Sequence, residues 1–353
     1  MHALTVLPGR ADSAQLDLLP EPTADGARVL LRALDIGVCG TDREILAGKY
    51  GTAPPGQKRL ILGHESLGEV LRAPEGARFA AGDLAVAFVR RPDPLPCPAC
   101  ARGEWDMCKN GRYTERGIKE RHGYAAEQYT VRPEFLVPVP AALRSVGVLV
   151  EPTSVVAKAW EQIERIGARA TTAAQRVMVT GCGPIGLLAA LLGRQRGLDV
   201  HVFDRHRDGL KPELARALGA TYHCGDLDQL DLQADIVLEC TGAPGVVIDA
   251  VRHLAPDGIV CLTGVSSGGR RIGVDVGRFN RELVLENGVV FGSVNANRRH
   301  YIAAVDALAR ADRAWLERLI TRRVPLARWR EAFTQHPEDV KTVLDFANSA
   351  HAY

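Results

Sequence analysis

The spacing of apolar residues changes once along the chain, and that change divides it. Up to about residue 153, short apolar runs such as 29–33, 68–71 and 84–89 alternate with glycine and proline, the texture of a compact β domain with irregular loops. From residue 149 the period becomes helical: Val155, Val156, Ala159, Ile163 and Ile166 share one face, which predicts a linking helix before a polar stretch at 169–175. Apolar strands are then expected at 176–180, 200–204, 236–239, 258–263 and 289–293, with helical segments at 187–196, 211–218 and 245–254 between them. Strand and helix units of this length, repeated, imply a doubly wound parallel sheet with helices on both faces, an α/β fold class. Beyond Asn297 the pattern predicts helices at 301–309, 314–320 and 328–333 and a strand at 342–346, whose expected task is to complete a sheet edge or return to the first domain.

Length supports the division, because 353 residues exceed what one ordinary core holds and 46% apolar residues can fill two. A net charge of +2, from 44 basic and 42 acidic side chains, provides no field to hold nucleic acid or an anionic membrane, so small neutral ligands suit it better. The arginines near Arg298 and Arg322 read as solvated faces rather than phosphate sites. The first residues lack the basic start and apolar segment of a signal peptide, and no apolar run reaches the roughly 18 residues of a membrane span. A soluble, cytoplasmic protein is expected, with its eight cysteines reduced as ligands or core thiols.

Chemistry concentrates in a few segments. Gly37-Val-Cys-Gly-Thr-Asp42 sets a thiol between glycines, Gly63-His64-Glu65 follows, and an apolar run ending at Val150 delivers Glu151 directly before Pro152. Cys39, His64 and Glu151 can make one catalytic zinc site, which takes three protein ligands and keeps a fourth position for water or substrate. By itself Cys39 reads equally well as a small core residue, and it is the His-Glu and Glu-Pro segments that favour metal. Residues 90–109 carry Pro92, Pro94, Pro96 and Pro98 among Cys97, Cys100 and Cys108. Three such thiols suggest structural zinc, yet a closed site wants four ligands. Either Asp93, Asp106 or a residue from elsewhere completes it, or the thiols hold no metal.

The strand at 176–180 runs straight into Gly181, Cys182, Gly183, Pro184, Ile185 and Gly186, where it turns into a helix. Such a turn lets backbone approach a pyrophosphate, whose charge meets free amides and the positive end of the helix dipole. The hexapeptide alone is a weak signal. Asp204, ending the next strand at the distance where a ribose-binding acid belongs, strengthens it, although an acid at a strand end is also ordinary.

Together these segments resemble the zinc-dependent medium-chain dehydrogenase/reductase superfamily along essentially the whole chain. Cys39-Gly-Thr-Asp-Arg-Glu-Ile45, Glu115-Arg-Gly-Ile118, His122-Gly-Tyr124, Glu151-Pro152 and Gly292-Ser-Val-Asn295 are most similar to its glucose dehydrogenase branch. The resemblance implies a GroES-like catalytic domain formed by 1–153 and 297–353, enclosing a Rossmann domain at 154–296. It implies that Cys39, His64 and Glu151 hold catalytic zinc, with Glu65 as a supporting or exchangeable ligand. Thr41 would contact the substrate hydroxyl and pass on its proton, which makes Thr41 and Glu65 the expected catalytic pair. Glu115 and Glu151 would bind the substrate, and Asn295 would lie near both substrate and nicotinamide. Thr263, Gly264 and Val265 would touch the nicotinamide end, with Arg205 and His206 beside Asp204 at the other end of the nucleotide.

Three positions depart from that pattern. Pro94 stands where the first of four lobe cysteines belongs, Glu44 where some alcohol dehydrogenases place a relay histidine, and Val155 where sugar dehydrogenases of this branch can carry a polar residue. The expected reaction passes hydride from C1 of an aldose such as glucose to NAD, with NADP possible as well, giving a lactone. Asp204 favours NAD, while Arg205 and Arg207 pull towards NADP. Oxidation of a polyol or aminocyclitol at a secondary alcohol is the alternative, and a non-enzymatic dinucleotide-binding protein on the same scaffold is the second. The expected partners are a small sugar or polyol and further copies of the chain, in a homodimer or homotetramer.

Overall fold

In the computed structural model, residues 1–23, 26–266 and 272–347 are described, and the chain divides into two compact units. The first comprises Met1–Ser154, Asn295–Arg310 and Ile320–Tyr353, of which 348–353 lie outside the described residues. Its organising strand is Val29–Val38, longer than the apolar run that predicts it. It pairs antiparallel with Glu65–Arg72, Gln128–Val131 and Lys341–Asp345. Leu84–Ala87 and Leu136–Val139 extend this sheet on one side and Ile320–Pro325 on the other. Leu31, Ile36, Ile45, Leu62 and Tyr124 are fully or almost fully buried in its core. A smaller sheet of Gln15–Leu18, His2–Val6 and Leu60–Ile61 lies below what the sequence pattern reveals, as do the short lobe strands Arg90–Arg91, Thr114–Arg116 and Glu120–Arg121.

The second unit comprises Val155–Val294 and Ala311–Leu319. Its sheet runs in the order Thr221–His223, Asp199–Phe203, Arg176–Thr180, Ala234–Glu239, Leu254–Leu262, Val289–Gly292, all parallel. With the strands counted from Arg176–Thr180 this is the order 3-2-1-4-5-6, which reverses direction at the first strand, where open α/β sheets bind ligands beyond their carboxyl ends. The helix Pro184–Gln195 buries Leu187 to Gly193 against the sheet. Residues 311–319, expected with the first unit, lie with the second: Trp315 Nε1 donates to Leu214 O at 2.9 Å and Arg318 pairs with Glu213. The helix Val276–Leu285 is not foreseen from sequence. None of its residues is fully buried: only Phe279 and Leu283, four residues apart, pack half-buried on the core, a short stripe, and it starts on Asp275, whose side chain accepts from Arg278 N. No helix among the described residues is long and apolar enough to cross a membrane.

Candidate metal and nucleotide sites

Cys39 joins the strand Val29–Val38 to the helix Gly40–Leu46 and caps that helix. Its sulfur accepts from Thr41 N at 3.3 Å, and its own N–H donates to Asp42 Oδ2 at 3.0 Å, a reciprocal cap with sulfur in place of the usual hydroxyl. The other Asp42 oxygen faces His64 Nδ1 at 3.3 Å, while His64 Nε2 lies 3.0 Å from Cys39 Sγ. One carboxylate therefore sets the thiol's loop and orients the imidazole, as carboxylates behind metal-bound histidines do. Burial alone would lower the His64 pKa, but Asp42 and Cys39 together raise it well above the ordinary value. Asp42 is missed in the sequence; the acid three residues after a capping residue is its signal.

Gly63 turns the chain into His64 with φ +86°, and a Cβ there would come within 2.8 Å of Ile36 Cγ2. Glu65 begins the next strand, buried, and pairs with Lys341, whose Nζ also donates to Val38 O at 3.1 Å. Gly37 leaves the room: a Cβ on it would collide with the Glu65 carboxylate. The ligand atoms of Cys39, His64 and Glu65 lie within 4.8 Å of one another. Convergence of a thiol, an imidazole and a carboxylate, all largely withdrawn from water, fits zinc. Glu151, expected as the third ligand, lies outside this set of three, whereas Glu65, drawn in beside Lys341, lies within it. Glu151 is buried at the start of the helix Val150–Gly167. Burial pushes its carboxyl up to about 8, the Glu65 charge adds to this, and His64 and Lys341 act against it.

Thr41 is half-buried, and its hydroxyl makes no hydrogen bond among the described residues. Glu115 and Asn295, expected to meet substrate, meet each other: Asn295 Nδ2 donates to Glu115 Oε1 at 2.8 Å. The same oxygen accepts from Arg90 Nε and Nη2, both at 3.0 Å, and Arg90 lies over the Tyr113 ring at 3.7 Å. Glu115 Oε2 takes none of these bonds and is available to a hydroxyl. In the sequence Arg90 is only one charge of a proline-rich loop.

In the lobe, the sulfurs of Cys97, Cys100 and Cys108 also converge within 4.8 Å. Backbone N–H groups of Cys100 and Lys109 point at Cys97 Sγ and lower its pKa to about 6, whereas burial pushes Cys100 up to about 11. No fourth ligand joins them among the described residues. The Asp93 carboxylate is held by Leu95 N, Asn110 Nδ2 and Arg112 Nε, and Asp106 Oδ1 accepts from Asn297 Nδ2. Among the described residues the three thiols thus converge without the fourth ligand that a closed zinc site wants.

In the second unit, Gly181 adopts φ +93°, and its N–H donates to Phe203 O at 2.7 Å. A Cβ on Gly186 would strike Gly181 O. Gly183 precedes the helix without a side chain to cap it, so the amides of Ile185 and Gly186 stay available to an anion, and Pro184 at the first position gives up none. Asp204 follows the strand Asp199–Phe203. Its Oδ2 accepts from Cys182 N at 2.6 Å and its Oδ1 from His206 Nδ1 at 2.6 Å. Burial opposes its ionisation, yet these donors hold its carboxyl below the ordinary value. Arg205 is exposed next to it. Thr263 and Gly264 donate to Glu239 O, and a Cβ on Gly264 would collide with Gly242 N, so the loop carrying exposed Val265 lies tight against its neighbour. The buried Glu239 carboxylate, missed in the sequence, accepts from Thr241 N and Gly242 N and anchors this end of the sheet.

Residues 25–141 match the alcohol dehydrogenase GroES-like domain family, and residues 144–346 the family described as glucose dehydrogenase C-terminus. The chain is 43% identical to a glucose 1-dehydrogenase of Methanocella arvoryzae, over 98% of this chain and 99% of the relative. With a glucose 1-dehydrogenase of Thermoproteus tenax the identity is 41%, again over 98% and 99%. Among solved structures, Haloferax mediterranei glucose dehydrogenase in complex with NADP, Zn and gluconolactone superposes with a TM-score of 0.91 at 33% identity, covering 98% of this chain and 99% of that one.

Proposed function

Since the chain belongs to the glucose dehydrogenase branch of the zinc-dependent medium-chain dehydrogenase/reductase superfamily, we propose that it oxidises an aldose such as glucose at C1 to the lactone, with NADP or NAD as hydride acceptor. The observation that carries the reading is the convergence of Cys39, His64 and Glu65 with Asp42 behind the imidazole. When bound there, zinc acts as a Lewis acid that makes a coordinated hydroxyl acidic near neutral pH. Cys39, His64 and Glu65 would hold the ion, with Glu151 as the exchangeable carboxylate. Thr41 Oγ1 would take the proton leaving the anomeric hydroxyl while its own hydroxyl proton passes to solvent, and Glu115 Oε2 accepts from another sugar hydroxyl while Arg90 and Asn295 fix its partner oxygen. Gly181, Gly183, Pro184, Ile185 and Gly186 receive the pyrophosphate, Asp204 with Arg205 and His206 the adenosine ribose, and Thr263, Gly264 and Val265 the nicotinamide end.

Rates with glucose, galactose, xylose, sorbitol and inositol, followed by the ultraviolet absorbance of reduced nicotinamide, test the proposal. Turnover confined to the polyols would replace the aldose by a secondary alcohol, and nucleotide binding without turnover on any of them would favour the non-enzymatic reading. A homodimer fits the second unit: Val289–Gly292 is an outer strand of its sheet, and Val276, Val284 and Leu285 are exposed. Light scattering of the purified chain decides between that and a tetramer.

A further inference from the structure

Resting on the nucleotide reading above, we propose that His206 sets how this site divides between NADP and NAD, by occupying the Asp204 oxygen that a ribose diol would otherwise use. A carboxylate grips the two hydroxyls of an unphosphorylated ribose best when both its oxygens can accept. Here Oδ2 already takes Cys182 N at 2.6 Å, and Oδ1 takes two bonds from one residue, His206 Nδ1 at 2.6 Å and His206 N at 3.2 Å. A carboxylate oxygen has two lone-pair positions, so Oδ1 is filled. Bidentate binding of NAD must therefore displace the imidazole.

The imidazole is held for this task from outside its own loop. The Tyr222 hydroxyl, on the edge strand Thr221–His223, donates to His206 O, and Arg216 lies over the Tyr222 ring at 5.1 Å. His223 O on the same strand accepts from Asp204 N at 3.1 Å, which fixes acid and imidazole to a common support. His206 Nε2 makes no hydrogen bond among the described residues. Arg205 and Arg207, on either side, are exposed and form no ion pair there. A 2′-phosphate arriving at this corner would meet an acid whose Oδ1 is masked and three basic side chains in succession. For NADP the imidazole covers a repulsive charge, and for NAD it competes with the ribose. The site accepts both nucleotides and prefers NADP.

Dissociation constants of NADPH and NADH for the full chain, from the fluorescence of the bound nicotinamide, test this without using catalysis. His206→Ala should weaken NADPH about tenfold and tighten NADH severalfold, the scale of one charge-assisted hydrogen bond gained or lost. His206→Asn, whose amide can still donate to Asp204, should retain most of the wild-type ratio. Asp204→Asn should weaken NADH alone. An equal change for both nucleotides in His206→Ala, or no change, would overturn the proposal and leave the nucleotide site standing. Failure of the wild type to bind either nucleotide would instead remove the site itself.

Discussion

The candidate metal centre of the first unit and the candidate nucleotide site of the second are made of different materials. The metal centre consists of side-chain charges withdrawn from water: Asp42, His64, Glu65 and Lys341 are each at most 5% exposed, and each is placed against another. The nucleotide site consists of backbone curvature, with Gly181 at positive φ and Gly186 where a side chain would strike Gly181 O. The first should therefore fail when chemistry changes at constant shape, and the second when bulk is added at constant chemistry.

Cys39→Ser is the sharpest test of the first half. It keeps the cap and the volume but replaces a soft ligand, so turnover should fall about a thousandfold or more, while NADP titration gives an unchanged dissociation constant. Parallel loss of nucleotide binding would collapse the distinction. Gly186→Ala tests the second half with a single methyl. Its collision with Gly181 O should open the turn and weaken NADP by about ten- to a hundredfold, with zinc content by elemental analysis unaltered. The smallest effect is expected from Asp42→Asn, which alters no ligand yet removes the charge behind His64. Zinc affinity, measured by competition with a chelator, should fall about tenfold, the lower end of what such supporting residues contribute. A change in zinc affinity equal to that of Cys39→Ser would make Asp42 a ligand.

The same contrast explains what could be read from the sequence. Glycines forced by a turn and a thiol between glycines are local signals, so the turn from Gly181 to Gly186 and the meeting of Cys39 with His64 were legible, and the parallel sheet followed from its apolar strands. Partnerships made across the fold were not. Lys341 was one polar residue before an apolar run, Arg90 one of several charges in a proline-rich loop, and the placing of Glu65 beside Cys39 and His64 depended on Gly37 and Lys341 together. The edge strand Thr221–His223 escaped because a polar outer strand lacks the apolar run that identifies an inner one.

The hydrogen bond from Lys341 to Val38 O spans 303 positions of the chain. A nascent polypeptide still emerging from the ribosome can hold Cys39, His64 and Glu65 but not the ammonium that neutralises Glu65. Were these three to hold a metal, the arrangement seen here, with Glu65 against Lys341, would be complete only once synthesis has passed Lys341.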